Sequence, residues 1–211
     1  MLNISSDPLC PVDSERGPLV DFCGREFYPF DPRPEDIRLN EIAYMLSRTK
    51  RFGNDSDLTV AEHCLAVAGL VKSWRYSPPV QLFALLHDAH EAYTGDIRRP
   101  FAKRQCFAVH DRFIRLDQLQ AKLDLAITES LFPDFCGLNR DQWEALKQAD
   151  DIALFWEIRD VRLTNLPWAK PNEQQARLIP AKKLTCMNHE ALIRQRYLDT
   201  YASLHGDNSH V

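Results

Sequence analysis

The chain has 211 residues, of which 45% are hydrophobic and 27% are charged, and its formal net charge at pH 7 is -4. A chain of this length can bury one full hydrophobic core, and its composition is close to that of average globular proteins, which argues against a disordered chain, a fibrous repeat or a coiled coil. Because the net charge is negative, we expect no binding of duplex nucleic acid, and any anion site must be local.

The N-terminus shows no positive segment followed by an apolar stretch, and no part of the chain is apolar over a length that spans a bilayer. We therefore expect a cytoplasmic protein with no membrane partner. Six cysteines are spread along the chain without a C-x-x-C pair, which argues against a zinc finger and a disulfide framework and predicts reduced thiols. The oligomeric state is not visible in the sequence, and a homo-oligomer stays open.

Residues 1–35 contain six prolines, so they predict an irregular N-terminal arm rather than a long helix. Two short strands, 20–23 and 26–30, are expected on either side of Gly24. A helical core then follows over residues 36–205. Apolar positions at helical spacing predict six helices within or around it, over residues 35–48, 58–75, 80–93, 111–131, 140–162 and 188–204.

Between these helices, residues 96–108 predict a loop or a broken helix, and residues 165–180 predict a surface crossing. A short strand over 177–180 is expected to meet the N-terminal arm, and residues 206–211 are expected to form a frayed tail. The whole chain, 1–211, therefore predicts a single all-α domain with a minor β element.

Two strong metal ligands, His87 and Asp88, interrupt an otherwise apolar helical stretch over residues 82–93. An ionised aspartate on a core-facing helix is costly unless it is paired or bound to a cation. A helix turns by about 100° per residue, so adjacent side chains can both reach a metal that lies between them, and Glu91 falls on the same face as His87. The alternative is a core histidine bonded to a buried carboxylate.

Two further helices repeat this pattern. His63 lies inside the apolar stretch 60–68, and Asp150 and Asp151 come directly before the apolar stretch 152–156. The helical period does not separate Asp150 from Asp151 as the residue that faces the core. Ionisable residues inside three apolar helices favour a shared metal site over an isolated core histidine.

The order His63, His87-Asp88, Asp150 resembles the H…HD…D signature of HD-domain metal-dependent phosphohydrolases. The segment 87–97, with its Thr-Gly-Asp sequence ending at Asp96, resembles the family's stretch from the HD pair to an acidic loop. Lys147-Gln-Ala-Asp150 resembles the segment of the last ligand, which favours Asp150. The resemblance covers roughly residues 25–205, most closely the bacterial and phage branch that hydrolyses deoxynucleotides, and it implies an HD-domain helical bundle.

The resemblance implies that His63, His87, Asp88 and Asp150 bind one divalent transition metal. Mixed nitrogen and oxygen ligands suit Co, Mn, Fe, Ni or Zn better than Mg. It further implies that Glu91 handles the proton of the attacking water and that Asp96 positions the water or the leaving group. Without the resemblance, Glu91 would be interpreted as a solvated helix residue and Asp96 as a turn former.

Arg51-Phe52 resembles the family's arginine–aromatic pair, in which the arginine contacts phosphate and the aromatic ring borders the sugar pocket. Basic residues that could bind further phosphate groups are Arg98, Arg99, Lys103 and Lys147. The loop 96–104 carries four cations, more than one phosphate requires. This charge favours a triphosphate substrate. The resemblance extends to a phage-type dATP triphosphohydrolase, which implies a purine dNTP as substrate and deoxynucleoside and tripolyphosphate as products.

Four alternatives stay open at this point. One is a 5'-deoxynucleotidase that acts on dNMPs, and another is a cyclic-dinucleotide or alarmone phosphodiesterase, against which the absence of a second His-His cluster argues. The third is a non-catalytic HD-fold binding module. The fourth is a nucleic-acid binder that uses the basic patch 98–104, which a salt-sensitive binding assay would detect.

Overall fold

A computed structural model describes residues 19–109, 112–162, 170–184, 186–187 and 189–206. Most of the predicted N-terminal arm and nearly all of the predicted tail lie outside these residues. Within the described chain, helices dominate and the β structure consists of two short hairpins and one isolated bridge, so the mostly α-helical class predicted from the sequence is confirmed. No helix of the described chain has both the length and the apolar character needed to cross a membrane.

The helices are α1 (Leu39–Leu46), α2 (Arg51–Asn54), α3 (Val60–Ser73), α4 (Pro78–Leu86), α5 (Glu91–Thr94), α6 (Arg99–Ala102), α7 (Leu116–Leu131), α8 (Arg140–Glu157), α9 (Glu173–Leu178) and α10 (Glu190–Gly206). A 3-10 turn, Pro34–Asp36, precedes α1, and a π-helical turn, Ile158–Arg162, continues α8. Two antiparallel hairpins pair β1 (Leu19–Val20) with β2 (Glu26–Phe27), and β3 (Cys106–Val109) with β4 (Arg112–Arg115).

Helix α3 lies at the centre of the fold. It packs against α4, α8 and α10, and its first five residues, Val60 to Cys64, are all buried. A helix that is buried on every side carries apolar residues all round rather than in one stripe. Thr59 begins α3 by accepting a hydrogen bond from the Glu62 amide, while the Glu62 carboxylate accepts one from the Thr59 amide. This reciprocal cap fixes the turn that carries His63.

The sequence predicted one helix over residues 80–93, and this prediction is wrong. Helix α4 ends at Leu86, and the chain turns before α5 begins at Glu91. In the turn, backbone N–H groups bond to carbonyls three residues back: Ala89 to Leu86, and Glu91 to Asp88. Such tighter turns advance side chains by about 120° per residue, so the spacing of an ideal helix does not describe the HD segment.

The second hairpin was also missed. The sequence predicted a loop or a broken helix over 96–108, where α6 forms, and a longer helix from residue 111, but α7 begins only at Leu116, after β3 and β4. Phe107 and Ile114 pair across this hairpin and pack on the core, and the Phe107 ring meets the Phe30 ring at 5.5 Å. Alternate apolar residues therefore stabilise strands where helical spacing had been inferred.

The strand predicted over 177–180 is wrong as well, because residues 173–178 form α9. Asn172 accepts a hydrogen bond from the Gln175 amide, and the Gln175 side chain accepts one from the Asn172 amide. This cap begins a helix within the predicted surface crossing. Two paired strands flank Gly24 as predicted, but β1 shares only Val20 with the first predicted strand, and β2 covers only the first two residues of the second.

Candidate metal centre

His87 lies at the point where α4 ends. Its Nδ1 atom donates a hydrogen bond to the Ala84 carbonyl at 2.8 Å, so the lone pair of the neutral ring is on Nε2. The Nε2 atom is buried and has no hydrogen-bond partner among the described residues, and it lies 3.4 Å from the Asp88 Oδ2 atom. The local fold thus turns one imidazole nitrogen toward the neighbouring carboxylate.

His63 approaches the same carboxylate from α3. Its Nε2 atom lies 3.6 Å from Asp88 Oδ2 and 3.1 Å from Asp150 Oδ1, but without the geometry of a hydrogen bond. Potential ligand atoms of His63, His87 and Asp88 all lie within 4.8 Å of one another. Helix α3 and the turn after α4 therefore bring His63, His87 and Asp88 together, and from α8 it is Asp150, rather than Asp151, that contacts His63.

The chemistry of this group fits a divalent cation. Both histidines hold their Nδ1 atoms in hydrogen bonds and turn unpartnered, buried Nε2 atoms toward carboxylates. A metal ion would satisfy both Nε2 atoms, and at His63 it would replace the proton that pairs the ring with Asp150. Metal-bound histidines commonly donate their other nitrogen to a carbonyl or a carboxylate in this way. The group could hold a metal ion.

The same carboxylates favour a proton on His63 when no cation is bound. Burial and the charge of Arg51 oppose protonation, but Glu157 and Asp150 outweigh them and raise the pKa of His63 to about 10. The pKa of Asp150 is lowered, because its contacts with His63 and the nearby His87 outweigh its burial. Metal and proton therefore compete for one nitrogen, and metal binding would release a proton.

Glu91 and Asp96 lie beside this group. The Glu91 Oε2 atom is buried and has no hydrogen-bond partner among the described residues. Burial, followed by repulsion from Asp88 and Asp96, raises the pKa of Glu91 well above its usual value. Asp96 accepts a hydrogen bond from the Gly53 amide at 3.2 Å, so it ties the loop after α5 to the turn that carries Arg51.

Arg51 is the predicted phosphate-binding residue that lies deepest. Its side chain is 11% exposed, its NH2 atom lies 3.3 Å from Glu157 Oε2, and its NH1 atom lies 3.9 Å from Asp88 Oδ2. The guanidinium also lies 5.7 Å from the centre of the Phe52 ring. Phe52 has a φ of 60°, and this left-handed conformation turns the backbone beside the candidate ligands.

The other predicted phosphate-binding residues lie farther out. The Arg98 side chain is 50% exposed and donates a hydrogen bond to the Phe52 carbonyl at 2.8 Å. Arg99 and Lys103 are exposed in and just after α6. Lys147 is exposed on α8, with its Nζ atom 5.5 Å from the centre of the Trp143 ring. These four cations lie around the candidate ligands rather than among them.

A cavity of about 210 Å³ adjoins the candidate ligands. His87 and Asp150 line it together with Lys147, and most of its remaining wall is apolar. The apolar lining residues are Phe83, Leu86, Ile127, Phe132, Trp143 and Leu146. An apolar cavity with a few polar groups at one side is the usual form of a site for a small organic ligand.

Glu157 belongs to the site, although the sequence did not reveal it. It is fully buried, its Oε1 atom lies 2.5 Å from His63 Nδ1, and its other carboxylate oxygen faces Arg51. Its pKa is lowered, because His63 and Arg51 outweigh its burial. Its position seven residues after Asp150, at the end of an apolar stretch, was the available signal, since two helical turns return a side chain to nearly the same face.

The fold and the site define a mostly α-helical protein with a buried histidine–carboxylate group suited to a metal ion. The chain is 32% identical over 145 residues to the uncharacterized protein YfdR of Escherichia coli K12, covering 67% of this chain and 71% of YfdR. It is 30% identical over 167 residues to an uncharacterized protein of Rhodobacter capsulatus, covering 68% of this chain and 77% of that protein. The chain belongs to the family of these bacterial proteins. No family model matches it.

Proposed function

We propose that this chain is a metal-dependent phosphohydrolase of the HD type that acts on deoxynucleotides. The observation that carries the proposal is the pair of buried, unpartnered Nε2 atoms of His63 and His87, both within reach of the Asp88 carboxylate. The H…HD…D order of the sequence adds the reaction class to this geometry. Free deoxynucleotides are cytoplasmic metabolites, so we expect a cytoplasmic protein.

The ion would be held by His63, His87, Asp88 and Asp150, and this mixed set of nitrogen and oxygen donors suits Co, Mn, Fe, Ni or Zn. When bound, such an ion polarises a phosphoryl oxygen and lowers the pKa of a water molecule. Glu157 would orient His63 through its Nδ1 atom. The protein thereby supplies both the metal ligands and the carboxylate that fixes the orientation of His63.

The remaining residues would bind the substrate and move protons. Arg51 binds the phosphate nearest the metal ligands, since its NH1 atom lies on the Asp88 side of its guanidinium. Glu91 accepts a proton from the attacking water, whose oxygen forms a new bond to the α-phosphorus. The bond from that phosphorus to the 5' oxygen breaks, and the 5' oxygen gains a proton and leaves as deoxynucleoside. Asp96 helps to position the water or the leaving group.

The deoxynucleoside would occupy the 210 Å³ cavity beside His87 and Asp150. Its walls of Phe83, Trp143 and Leu146 offer apolar and aromatic surface to a base. Phe52, on the turn of Arg51, would border the sugar. A phosphate at the metal and a base in this cavity would together fill a continuous region of the molecule.

The main candidate substrate is a purine dNTP such as dATP, with tripolyphosphate as product. The four cations that lie around the candidate ligands, here called the rim cations, support it. Arg98 contacts the Phe52 turn, and Arg99 lies close enough to Asp151 to oppose part of the rise in its pKa that burial and Asp150 cause. Together with Lys103 and Lys147 they offer charge for β- and γ-phosphates outside the metal group. Arg98, Arg99 and Lys103 are exposed, however, so the charge that favours a triphosphate lies at the surface, and this weakens the case for the main candidate.

The second candidate is a 5'-deoxynucleotidase, and the burial of Arg51 favours it. A deeply held guanidinium beside the candidate ligands matches a single phosphate, whereas the cations of the rim are exposed. The same phosphorus–oxygen bond breaks in both reactions. The two candidates differ only in whether phosphate or tripolyphosphate is released.

A product assay tests the proposal. The chain is stripped of metal with a chelator and supplied with Mn, Co, Zn or Mg, and phosphate and tripolyphosphate are measured by ion chromatography over a panel of dNMPs and dNTPs. His87→Gln should abolish release, whereas His205→Gln, an exposed histidine on α10, should not change it. Tripolyphosphate from dNTPs supports the main candidate and phosphate from dNMPs the second. No release with any metal would contradict both and favour a binding module.

A further inference from the structure

A second group of potential metal ligands lies directly beside the first. Ligand atoms of Asp88, His90 and Glu91 are all within 4.8 Å of one another, just as those of His63, His87 and Asp88 are. Asp88 belongs to both groups. The tight turn between α4 and α5 creates this arrangement, because it brings the side chains of Asp88, His90 and Glu91 to the same region.

His90 is held in the manner of a metal-binding histidine. Its Nδ1 atom lies 2.8 Å from the Asp124 Oδ1 atom on α7, so Nε2 is the ring nitrogen left to coordinate an ion. The contact repeats the relation of His63 to Glu157, in which a carboxylate from another helix orients an imidazole. His90 was not identified from the sequence, because no position of the H…HD…D pattern corresponds to this histidine.

Glu91 provides an independent reason to expect a cation here. Its Oε2 atom is buried without a hydrogen-bond partner among the described residues, and its neighbours include the like-charged Asp88 and Asp96. Buried carboxylates that lack partners and face one another are unfavourable unless a positive charge lies between them. Arg51 is engaged with Glu157, and a divalent ion beside His90 would stabilise the ionised form of Glu91, which burial otherwise disfavours.

We propose that Asp88, His90 and Glu91 bind a second divalent cation, and that Asp88 bridges it to the ion of the first group. The inference rests on the proposed function only in taking the first ion as present. Two ions that share a carboxylate in phosphate-hydrolysing centres lie about 3.5–4 Å apart and stabilise the attacking and leaving oxygens together. Ligation through one Glu91 oxygen leaves its other oxygen to accept the proton of water.

The second ion would also ease the binding of a phosphate substrate. The carboxylates of Asp88, Glu91, Asp96 and Asp150 crowd this region, and a nucleotide brings further negative charge. One divalent ion and Arg51 do not neutralise this set. A second divalent ion would bring the loaded centre closer to neutrality.

Metal stoichiometry tests the inference. The chelator-stripped full chain is titrated with Mn²⁺, and the bound ions are counted by isothermal titration calorimetry and by the loss of the free Mn²⁺ signal in electron paramagnetic resonance. We expect two ions per chain with magnetic coupling between them. His90→Gln should leave one uncoupled ion, and His205→Gln should leave two. Asp124→Asn, a milder change, should keep both ions but weaken the second by roughly 10–100-fold.

The possible results separate this inference from the proposed function. One ion in the wild type, with no change in His90→Gln, overturns the second site, whereas phosphate or tripolyphosphate release from the same sample would leave the proposed function standing. Two coupled ions without nucleotide hydrolysis would support the second site and contradict the proposed function. No bound ion would contradict both.

Discussion

Glu157 and His63 form a buried contact of 2.5 Å between Oε1 and Nδ1 that joins the end of α8 to the first turns of α3. The other oxygen of the same carboxylate faces Arg51 at 3.3 Å. One side chain thus orients a candidate metal ligand and the guanidinium predicted to bind phosphate. The candidate metal ligands and Arg51 are therefore connected through one buried carboxylate.

Replacing Glu157 by Gln should weaken metal binding by roughly 10–100-fold, because the imidazole of His63 loses its orienting anion. Competition of the protein with a chromophoric chelator for Mn²⁺ measures the change. Glu144→Gln, an exposed glutamate of α8 that pairs with Arg140, is the matched control and should leave affinity unchanged. Equal metal affinities of the two variants would show that Glu157 does not influence metal binding through His63.

Replacing Glu91 by Gln should preserve the ion at His63 and His87 but reduce turnover by about 10²–10⁴-fold, because a neutral amide cannot accept the proton of water. Phosphate release with saturating metal and substrate measures this loss. Glu129→Gln, an exposed glutamate on α7, serves as the control. Unchanged turnover in Glu91→Gln would remove this residue from the proposed reaction.

The rim cations should distinguish the two candidate substrates. Arg99→Gln and Lys103→Gln should each raise KM for a dNTP by roughly 5–10-fold, the loss expected for one exposed charge–phosphate contact, and leave KM for a dNMP unchanged. Lys72→Gln, an exposed lysine of α3, should alter neither. Equal effects of the rim variants on both substrates would contradict a role at the β- and γ-phosphates.

Two glycine variants should change stability in opposite directions. Gly53 has a φ of +61°, and a Cβ there would meet Arg98 Nε at 2.7 Å, so Gly53→Ala should lower the free energy of unfolding by about 1–2 kcal/mol. Gly69 is exposed in α3, with no atom within 4 Å of an added Cβ. Gly69→Ala should raise the free energy of unfolding by about 0.5–1 kcal/mol. Urea denaturation measures both changes.

The stability of the metal-free protein should fall as pH rises from about 6.5, and the part contributed by His90 should be lost by about pH 9 and the part contributed by His63 by about pH 10. Burial lowers the pKa of His90, but Asp124 outweighs burial and raises it from 6.5 to about 9. A group with a raised pKa stabilises the folded state fully below its unfolded pKa, and this stability is lost as pH rises through the folded pKa.

Asp124→Asn should reduce this fall by about 1 kcal/mol, a value discounted because Asp124 is partly exposed. The measurement is urea denaturation in chelator between pH 6 and pH 10. Asp141→Asn, an exposed aspartate of α8, should keep the wild-type pH dependence. A wild-type stability that stays level over this range would contradict the predicted role of the His90–Asp124 pair.

The candidate ligands could be identified from the sequence because His63, His87 and Asp88 are ionisable residues inside apolar stretches, where they stand out. Glu157 and His90 were missed, although the spacing of Glu157 from Asp150 was an available signal, because the partner that explains each of them lies far away in sequence. His63 lies 94 residues from Glu157, and Asp124 lies 34 residues from His90. Local periodicity carries no information about such pairs.

The spacing of apolar residues explains both which helices could be predicted and why two features were missed. Long apolar repeats located α3, α7, α8 and α10 within a few residues of their ends. The break after Leu86 contains no proline or glycine, so no local sequence signal predicts the end of the helix there. The hairpin of β3 and β4 was interpreted as loop and helix because each strand has only four residues. The HD-type arrangement of the bundle remains a prediction.

Cys64, the buried residue that follows His63, has a consequence for which ions the centre accepts. Burial, together with the negative charge of Asp88 and Glu91, raises the pKa of its thiol well above the usual value. Soft ions such as Cd²⁺ and Cu⁺ bind the thiolate rather than the thiol, and oxidants also attack the thiolate. Without a bound ion, the protein therefore keeps a protonated thiol beside a candidate ligand, and we expect selection among ions to rest on imidazole and carboxylate.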